Sequence, residues 1–358
     1  MKKRLVVLFL IILLFVSGCG KEEKVDYVKE KNEDEQVEEK VEEKKLTIID
    51  ENSNSRPYAI VINNLPTAMK VQAGLDQAYM IYEFPIEGGY SRSLALFKDK
   101  TTNKIGTVRS ARQNYIDYAL ENDAIFVHWG TNHPAADVIK ETKVNNIDAQ
   151  SASEPFFRDN PEKLATEHTG YTSLEKLIDY ATNTKKYRLT TDVKSPLKYT
   201  TDIIDLSSAS DAKEAKTVEL NYSSSYKLKY VYDESTGRYQ RYYNNKEHKD
   251  YFNGNKFDTK NIIITLIGIG EVSGYTDTAG TNYTDLYNIG SGSGYYITNG
   301  YAREIKWSKE SRSAQTKYTY TDGTEVNVND GNTYINLFDK SKSVSIEWEL
   351  YIIIILFL

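Results

Sequence analysis

The chain has one cysteine, Cys19, in 358 residues. No intramolecular disulfide is available, so the folded parts stand on their hydrophobic cores alone. Positive charge is not in excess. The formal net charge is -6, which argues against a general nucleic-acid binder. The longest apolar run, near the N-terminus, is too short to span a bilayer. There is no Gly-x-Ser-x-Gly elbow, so one common route to a serine nucleophile is missing. The glycine-rich run Gly290-Ser291-Gly292-Ser293-Gly294 is followed by a strand-like and not a helix-like segment, which excludes a dinucleotide loop. Tryptophan is scarce, at 3, against 29 tyrosines. Tyrosine suits wet β-surfaces and glycan-facing platforms, but AT-rich coding inflates it too, so the count alone decides nothing.

Residues 1–18 have the form of a signal peptide. Lys2, Lys3 and Arg4 make a positive start, Leu5–Phe15 an apolar stretch, and Val16-Ser17-Gly18-Cys19 resembles a bacterial lipobox. In that reading Cys19 becomes the mature N-terminus and carries diacylglycerol, and two or more acyl chains hold a protein to a bilayer far better than one. The competing reading is a plain signal peptide with a chance cysteine. Residues 19–55 form a charged tether, rich in Glu and Lys, with no apolar face wide enough to pack. As a coil it would reach roughly 30–35 Å.

The spacing of apolar residues predicts an α/β domain over 56–205. Strands are expected at Arg56–Asn64, Ala78–Glu87, Ser91–Asp99 and Ala124–Gly130. Helices are expected after Ser110, as a cap candidate, at Pro134, and after Thr172 and Ser173. Over 206–350 short β-type runs separated by turns, among them Asn299-Gly300 and Asp322-Gly323, predict a mostly-β C-terminal domain. The tail 351–358, "YIIIILFL", fits neither half: it reads as a last buried strand or as a frameshifted end.

The runs "AIVINN", "QAGLDQAYMIYEFPIEGGYSRSLALF", "IGTVRSARQNYIDYALENDAIFVHWG", "FFRD" and "HTGYTSLEKL" resemble the YerB-type bacterial lipoprotein family. The match continues, more weakly, through "NGYAREIKWSK" and "YTYTDGTEVNVNDGNTYINLF". The resemblance implies a lipoprotein with an α/β domain followed by a β-rich one. It implies no established reaction.

The polar candidates sit at predicted strand ends and the loops after them, where open α/β sheets place ligands. They are Asn63, Glu83, Glu87, Arg92, Arg109, Ser110, Arg112, His128, Arg158, Asp159, His168 and Tyr171. Arginine offers planar, bidentate recognition of carboxylate or phosphate. Three readings stay open. Glu87, Arg92, Arg109 and Asp117 form a buried ion-pair network. Alternatively, the arginines form a binding site. In the third, Glu87 or His128 acts as general base beside an arginine clamp. His128, His133, Asp137, Glu167 and His168 match no standard metal spacing, and no metal or cofactor is expected. The expected role is a lipid-anchored envelope protein, held to the membrane through Cys19. It would bind cell-wall glycan, peptide or an envelope protein partner. The alternative is a hydrolase or transferase acting on a wall polymer. A transporter's solute-binding protein would need two similar lobes, which the dissimilar halves do not offer.

Overall fold

A computed structural model describes residues 44–277 and 280–347. The signal segment 1–18, Cys19, the tether up to residue 43 and the tail 351–358 lie outside the described residues. Among the described residues no helix is long and apolar enough to cross a membrane.

The N-terminal half contains the strands β1 (Tyr58–Asn63), β2 (Met80–Pro85), β3 (Ser91–Phe97), β4 (Ile105–Gly106), β5 (Ile125–His128), β6 (Asn146–Asp148), β7 (Phe156–Arg158) and β8 (Gly170–Thr172). Its helices are α1 (Pro66–Met69), α2 (Gln113–Glu121), α3 (His133–Thr142) and α4 (Leu174–Asp179). All six residues of β1 are buried. The reason is that alternate side chains feed two cores, one on each face of the sheet. Ala59 and Val61 join Tyr115, Ile116 and Ala119 of α2. Tyr58, Ile60 and Ile62 join Leu174 and Leu177 of α4. β1 runs parallel to β5, and β5 parallel to β6, while β3 lies antiparallel to β1. The Asn132 side chain caps α3 by accepting from the Ala135 N–H at 3.0 Å, and the Ser173 hydroxyl caps α4. Ser110 caps nothing: α2 starts after Arg112 without a side-chain cap.

In the second half the strand Gly290–Thr298 turns back into Tyr301–Lys309 through Asn299 and Gly300, both at positive φ, the geometry of a two-residue hairpin. The glycine-rich run lies in this strand. A Cβ on Gly294 would meet the Ile264 carbonyl oxygen at 2.0 Å, so only glycine lets the neighbouring strand approach.

The two halves share one sheet. Its order is Tyr301–Lys309, Gly290–Thr298, Asn261–Thr276, Thr333–Asp339, β2, β3, β1, β5, β6. The join is a parallel pairing of β2 with Thr333–Asp339, Met80 opposite Thr333 and Glu83 opposite Asn336. A second sheet contains Thr217–Asn221, Lys227–Asp233 and Arg238–Tyr243, and its Leu220, Leu228, Tyr230 and Tyr239 belong to the same core as Ile60 and Ile62. The segment around residue 205 is bound at both ends. Lys198–Thr200 pairs with Asn327–Asn329, and Lys213–Glu214 with Tyr301–Ala302. The last residues of the stretch read as tether also lie on the body: the Thr47 backbone and hydroxyl donate to Asp330.

Candidate functional site

The sequence candidates do not converge on one place; most fall at three, and the rest lie elsewhere. The first is the seam between the halves. Glu83 is 0% exposed, and the Arg241 Nη2 donates to both its oxygens, at 3.0 and 2.8 Å. The Asn64 amide and the Tyr226 and Ser91 hydroxyls complete its shell. Arg241, 1% exposed, donates from Nη1 to Nδ1 of His248. That bond makes Nδ1 an acceptor and puts the neutral ring's proton on Nε2, which has no partner. Burial, then the adjacent Arg241, holds His248 well below its ordinary range. These groups are closed to ligands.

The second place is the turn that carries Glu87. Arg112 meets Glu87 as a fork, Nε to Oε1 at 3.2 Å and Nη2 to Oε2 at 3.0 Å. The Thr284 N–H, from the second half, donates to Oε1 as well. Burial pushes the Glu87 carboxyl up, but Arg112 outweighs it and the net direction is down. Arg92, beside this pair, is different. It is 4% exposed; its Nη1 donates to the Ser110 carbonyl at 2.6 Å, its Nε has no partner, and it makes no ion pair among the described residues. Burial, with Arg112 and Arg109 alongside, pushes its guanidinium down to about 9, still charged at neutral pH.

The third place is a cleft of about 400 Å³ lined by Arg109, Ser110, Trp129, Gln150, Arg158 and Glu167, among others. Its shape follows from backbone bonds. The Arg109 N–H donates to the Val61 carbonyl of β1, the Trp129 N–H to the Arg109 carbonyl, and the Val108 N–H to the Gly170 carbonyl of β8. The Arg158 guanidinium lies 4.3 Å over the Trp129 ring, while its Nη1 donates to the Thr166 carbonyl and the Thr169 hydroxyl. Gly170 lets the ring lie close, since a Cβ there would stand 2.5 Å from Trp129 Cε3. Arg109 meets Glu167 weakly: Nη2 to Oε1 is 3.5 Å, with side chains 23% and 52% exposed. The same oxygen is 3.4 Å from Nε2 of His168, whose Nδ1 faces the Asn63 amide at 3.1 Å.

The remaining candidates face elsewhere. Asp159 pairs with Lys104, whose ammonium lies 4.4 Å over the Tyr171 ring. The Tyr171 hydroxyl donates to the Val71 carbonyl. His128 is buried between the Gly130 carbonyl and the Asn146 side chain, with Asp148 at 3.7 Å, and burial lowers its pKa. Asp117 pairs with Arg312, not with the arginines of the cleft. Thus Arg109, Ser110 and Arg158 meet in one cleft, with Arg92 behind Ser110 and Asn63 and His168 at its edge. Glu83, Glu87 and His128 lie outside it. Among the described residues no group of three or more His, Cys, Asp or Glu is placed to hold a metal ion. A larger cavity, about 600 Å³, is lined by Ile49, Tyr79, Val193, Leu197 and Tyr199 among others and by none of the candidates, whereas Arg109, Ser110 and Arg158 line the smaller one.

Sequence reasoning missed Trp129, Gln150 and Arg241, and it weighed Glu167 only as a metal ligand. One signal was available for Trp129: it directly follows His128 near the end of the strand predicted over Ala124–Gly130, in a chain with three tryptophans.

Known proteins resemble the chain over most of its length. Residues 46–188 match the model described as the N-terminal domain of a protein of unknown function (DUF3048), and residues 218–335 match the C-terminal domain of that family. The chain is 28% identical over 299 residues to the protein named "Putative lipoprotein YerB" of Bacillus subtilis (strain 168), covering 81% of this chain and 83% of that one. The crystal structure of the YerB protein from Bacillus subtilis superposes with a TM-score of 0.69 at 25% identity, over 81% of this chain and 94% of that chain. With both domain models matched in order and the likeness running across the seam, the chain belongs to the YerB-type bacterial lipoprotein family.

Proposed function

We propose that this is a lipid-anchored protein on the outer side of the cell membrane that binds anionic cell-wall material, glycan or peptide, through the Arg109–Arg158 cleft. An envelope protein presenting an acidic group is the partner of second choice. The observation that carries the reading is charge. Arg109 and Arg158 line a single cleft, Arg92 is buried behind it without an acidic partner, and the one carboxylate on its lining, Glu167, is weakly engaged. A buried charge with no counter-ion costs stability and is retained where something else gains from it. Anchoring rests on the lipobox-like Val16-Ser17-Gly18-Cys19 and on the lipoprotein name of the relative.

Catalysis gains less support. Glu87 is held by Arg112 and the Thr284 N–H, and His128 by Gly130 and Asn146, and neither candidate base lines the cleft of Arg109 and Arg158. Two measurements test the proposal. Pull-down of the chain on purified cell walls should fail for Arg109→Ala; retention equal to the unaltered chain rules the cleft out. Cys19→Ala should move the protein from the membrane fraction or leave it unprocessed. A mutant that fractionates and migrates like the unaltered protein ends the lipoprotein assignment.

A further inference from the structure

The cleft has features that narrow its ligand, granted that it is a binding site. Two guanidinium groups line it and a third lies behind Ser110, against one lining carboxylate. The local excess is two positive charges. Glu167 Oε1 stands 3.5 Å from the Arg109 Nη2 and 3.4 Å from the His168 Nε2, longer than good charge-assisted hydrogen bonds. This carboxylate is half exposed and lies where an incoming anion would meet Arg109. Arg158 is the better prepared partner. Stacking on Trp129 and two bonds from Nη1 fix its plane, and its Nε and Nη2 make no hydrogen bond among the described residues. Ordering it on a ligand therefore costs little side-chain entropy.

We infer that the cleft takes a phosphoryl group, which displaces the Glu167 carboxylate from Arg109 and bridges Arg109 to Arg158. A single carboxylate would offset half of the excess charge and offers two oxygens in one plane. A phosphoryl group carries one negative charge as a diester and between one and two as a monoester, and in either form its tetrahedral phosphorus presents oxygens outside a single plane, which suits arginines that arrive from two different chain segments. Arg92 adds charge from behind without touching the ligand. The phosphoryl group could belong to a soluble polymer or to a lipid headgroup, and the chemistry of the cleft is the same for both.

The test is a ³¹P NMR titration of the full chain in detergent with glycerol 3-phosphate, in phosphate-free buffer, with acetate as the carboxylate competitor. Saturable binding is expected, with acetate at least ten-fold weaker. Arg109→Ala and Arg158→Ala should each lower the affinity ten-fold or more. Glu167→Gln, which removes the internal competitor and leaves an exposed side chain of the same shape, should raise it several-fold. A merely structural Glu167 would not produce that gain. Micelles doped with phosphatidylglycerol should compete with glycerol 3-phosphate if the source is a headgroup, and should leave it bound if the source is soluble. The proposal falls if the unaltered chain does not bind the phosphate ester, if acetate binds as tightly, or if Glu167→Gln leaves affinity unchanged or lower. Should the phosphate ester fail while Arg109→Ala still abolishes retention on cell walls, the phosphoryl assignment is lost and the cleft stands. Loss of both effects ends both.

Discussion

The molecule pairs glutamate with arginine in two contrasting settings. At the seam, Glu83 and Arg241 are 0% and 1% exposed and meet at 2.8 Å, inside a shell of hydroxyl and amide partners. At the cleft, Glu167 and Arg109 are 52% and 23% exposed and meet at 3.5 Å. Residue type does not distinguish them; burial and completeness of the hydrogen-bond shell do. In the first, each charge is spent on the other, so removing one strands its partner in the core. In the second, both charges remain available and the pair contributes little to stability. Arg92 has the burial of the seam but no acidic partner among the described residues, and the proposed binding site rests partly on that.

The contrast breaks first at Glu83. Glu83→Gln leaves Arg241 buried without a carboxylate beside β2, at a pairing that joins the halves. The expected cost is about 3–5 kcal/mol, read as a lowered midpoint in denaturant unfolding. Replacing both residues by apolar ones of similar volume should return much of it. A single mutant within about 0.5 kcal/mol of the unaltered chain would mean that water reaches the seam, and the comparison would collapse.

A smaller effect sharpens the same comparison through pH. Burial, and for His248 also Arg241, lowers the folded-state pKa of His128, His168 and His248 from the ordinary 6.5. Between the lowered value and 6.5 the unfolded chain binds the proton and the folded chain does not. Stability is therefore complete above pH 6.5 and is lost as pH falls toward the folded values. Glu87 and Asp123 are lowered from 4.5 and 3.8, so their contribution is lost at more acidic pH. Asp117 and Asp250 are raised by burial and act in the opposite sense. His248→Gln isolates the seam: glutamine still accepts from Arg241, and melts between pH 7 and 5.5 should show a flatter dependence than the unaltered chain. An identical slope would show that His248 does not titrate with unfolding.

Much of the scaffold was legible because its signals are local. β1, β2 and β3 are apolar runs bounded by turn residues, α3 begins at Asn132 and Pro134, and Asn299-Gly300 turns a hairpin where two-residue loops do. The arginines at 92, 109 and 112 were grouped by sequence; Arg112 lies on Glu87, Arg92 behind Ser110, and Arg109 on the cleft lining. The seam was not legible. Glu83 and Arg241 are 158 residues apart, and no local pattern announces that β2 pairs with Thr333–Asp339. The cleft was half legible: its arginines stand out, but Trp129 and Gln150 reach it from just past β5 and β6, and Glu167 from the link between the three-residue strands β7 and β8, which are too short for periodicity to register. Ser110 looked like a cap and instead donates to the Trp129 carbonyl, because α2 starts two residues later than the polar run suggests.

The smallest expected effect on stability decides most about function. Arg109→Ala removes a guanidinium that is partly exposed and whose only ion pair among the described residues is the weak one with Glu167. Solvent screens that pair, so unfolding should shift by less than about 1 kcal/mol. Cell-wall binding should nonetheless be lost, since Arg109 is one of the two arginines on the cleft lining. The two readouts together discriminate where either alone would not. Lost binding with an unchanged melt is what a site predicts. Lost binding with a fall of several kcal/mol would place Arg109 with the seam, as scaffolding. Unchanged binding and an unchanged melt would leave Arg109 a surface charge and rule the cleft out, with Arg158 reduced to its seat on Trp129.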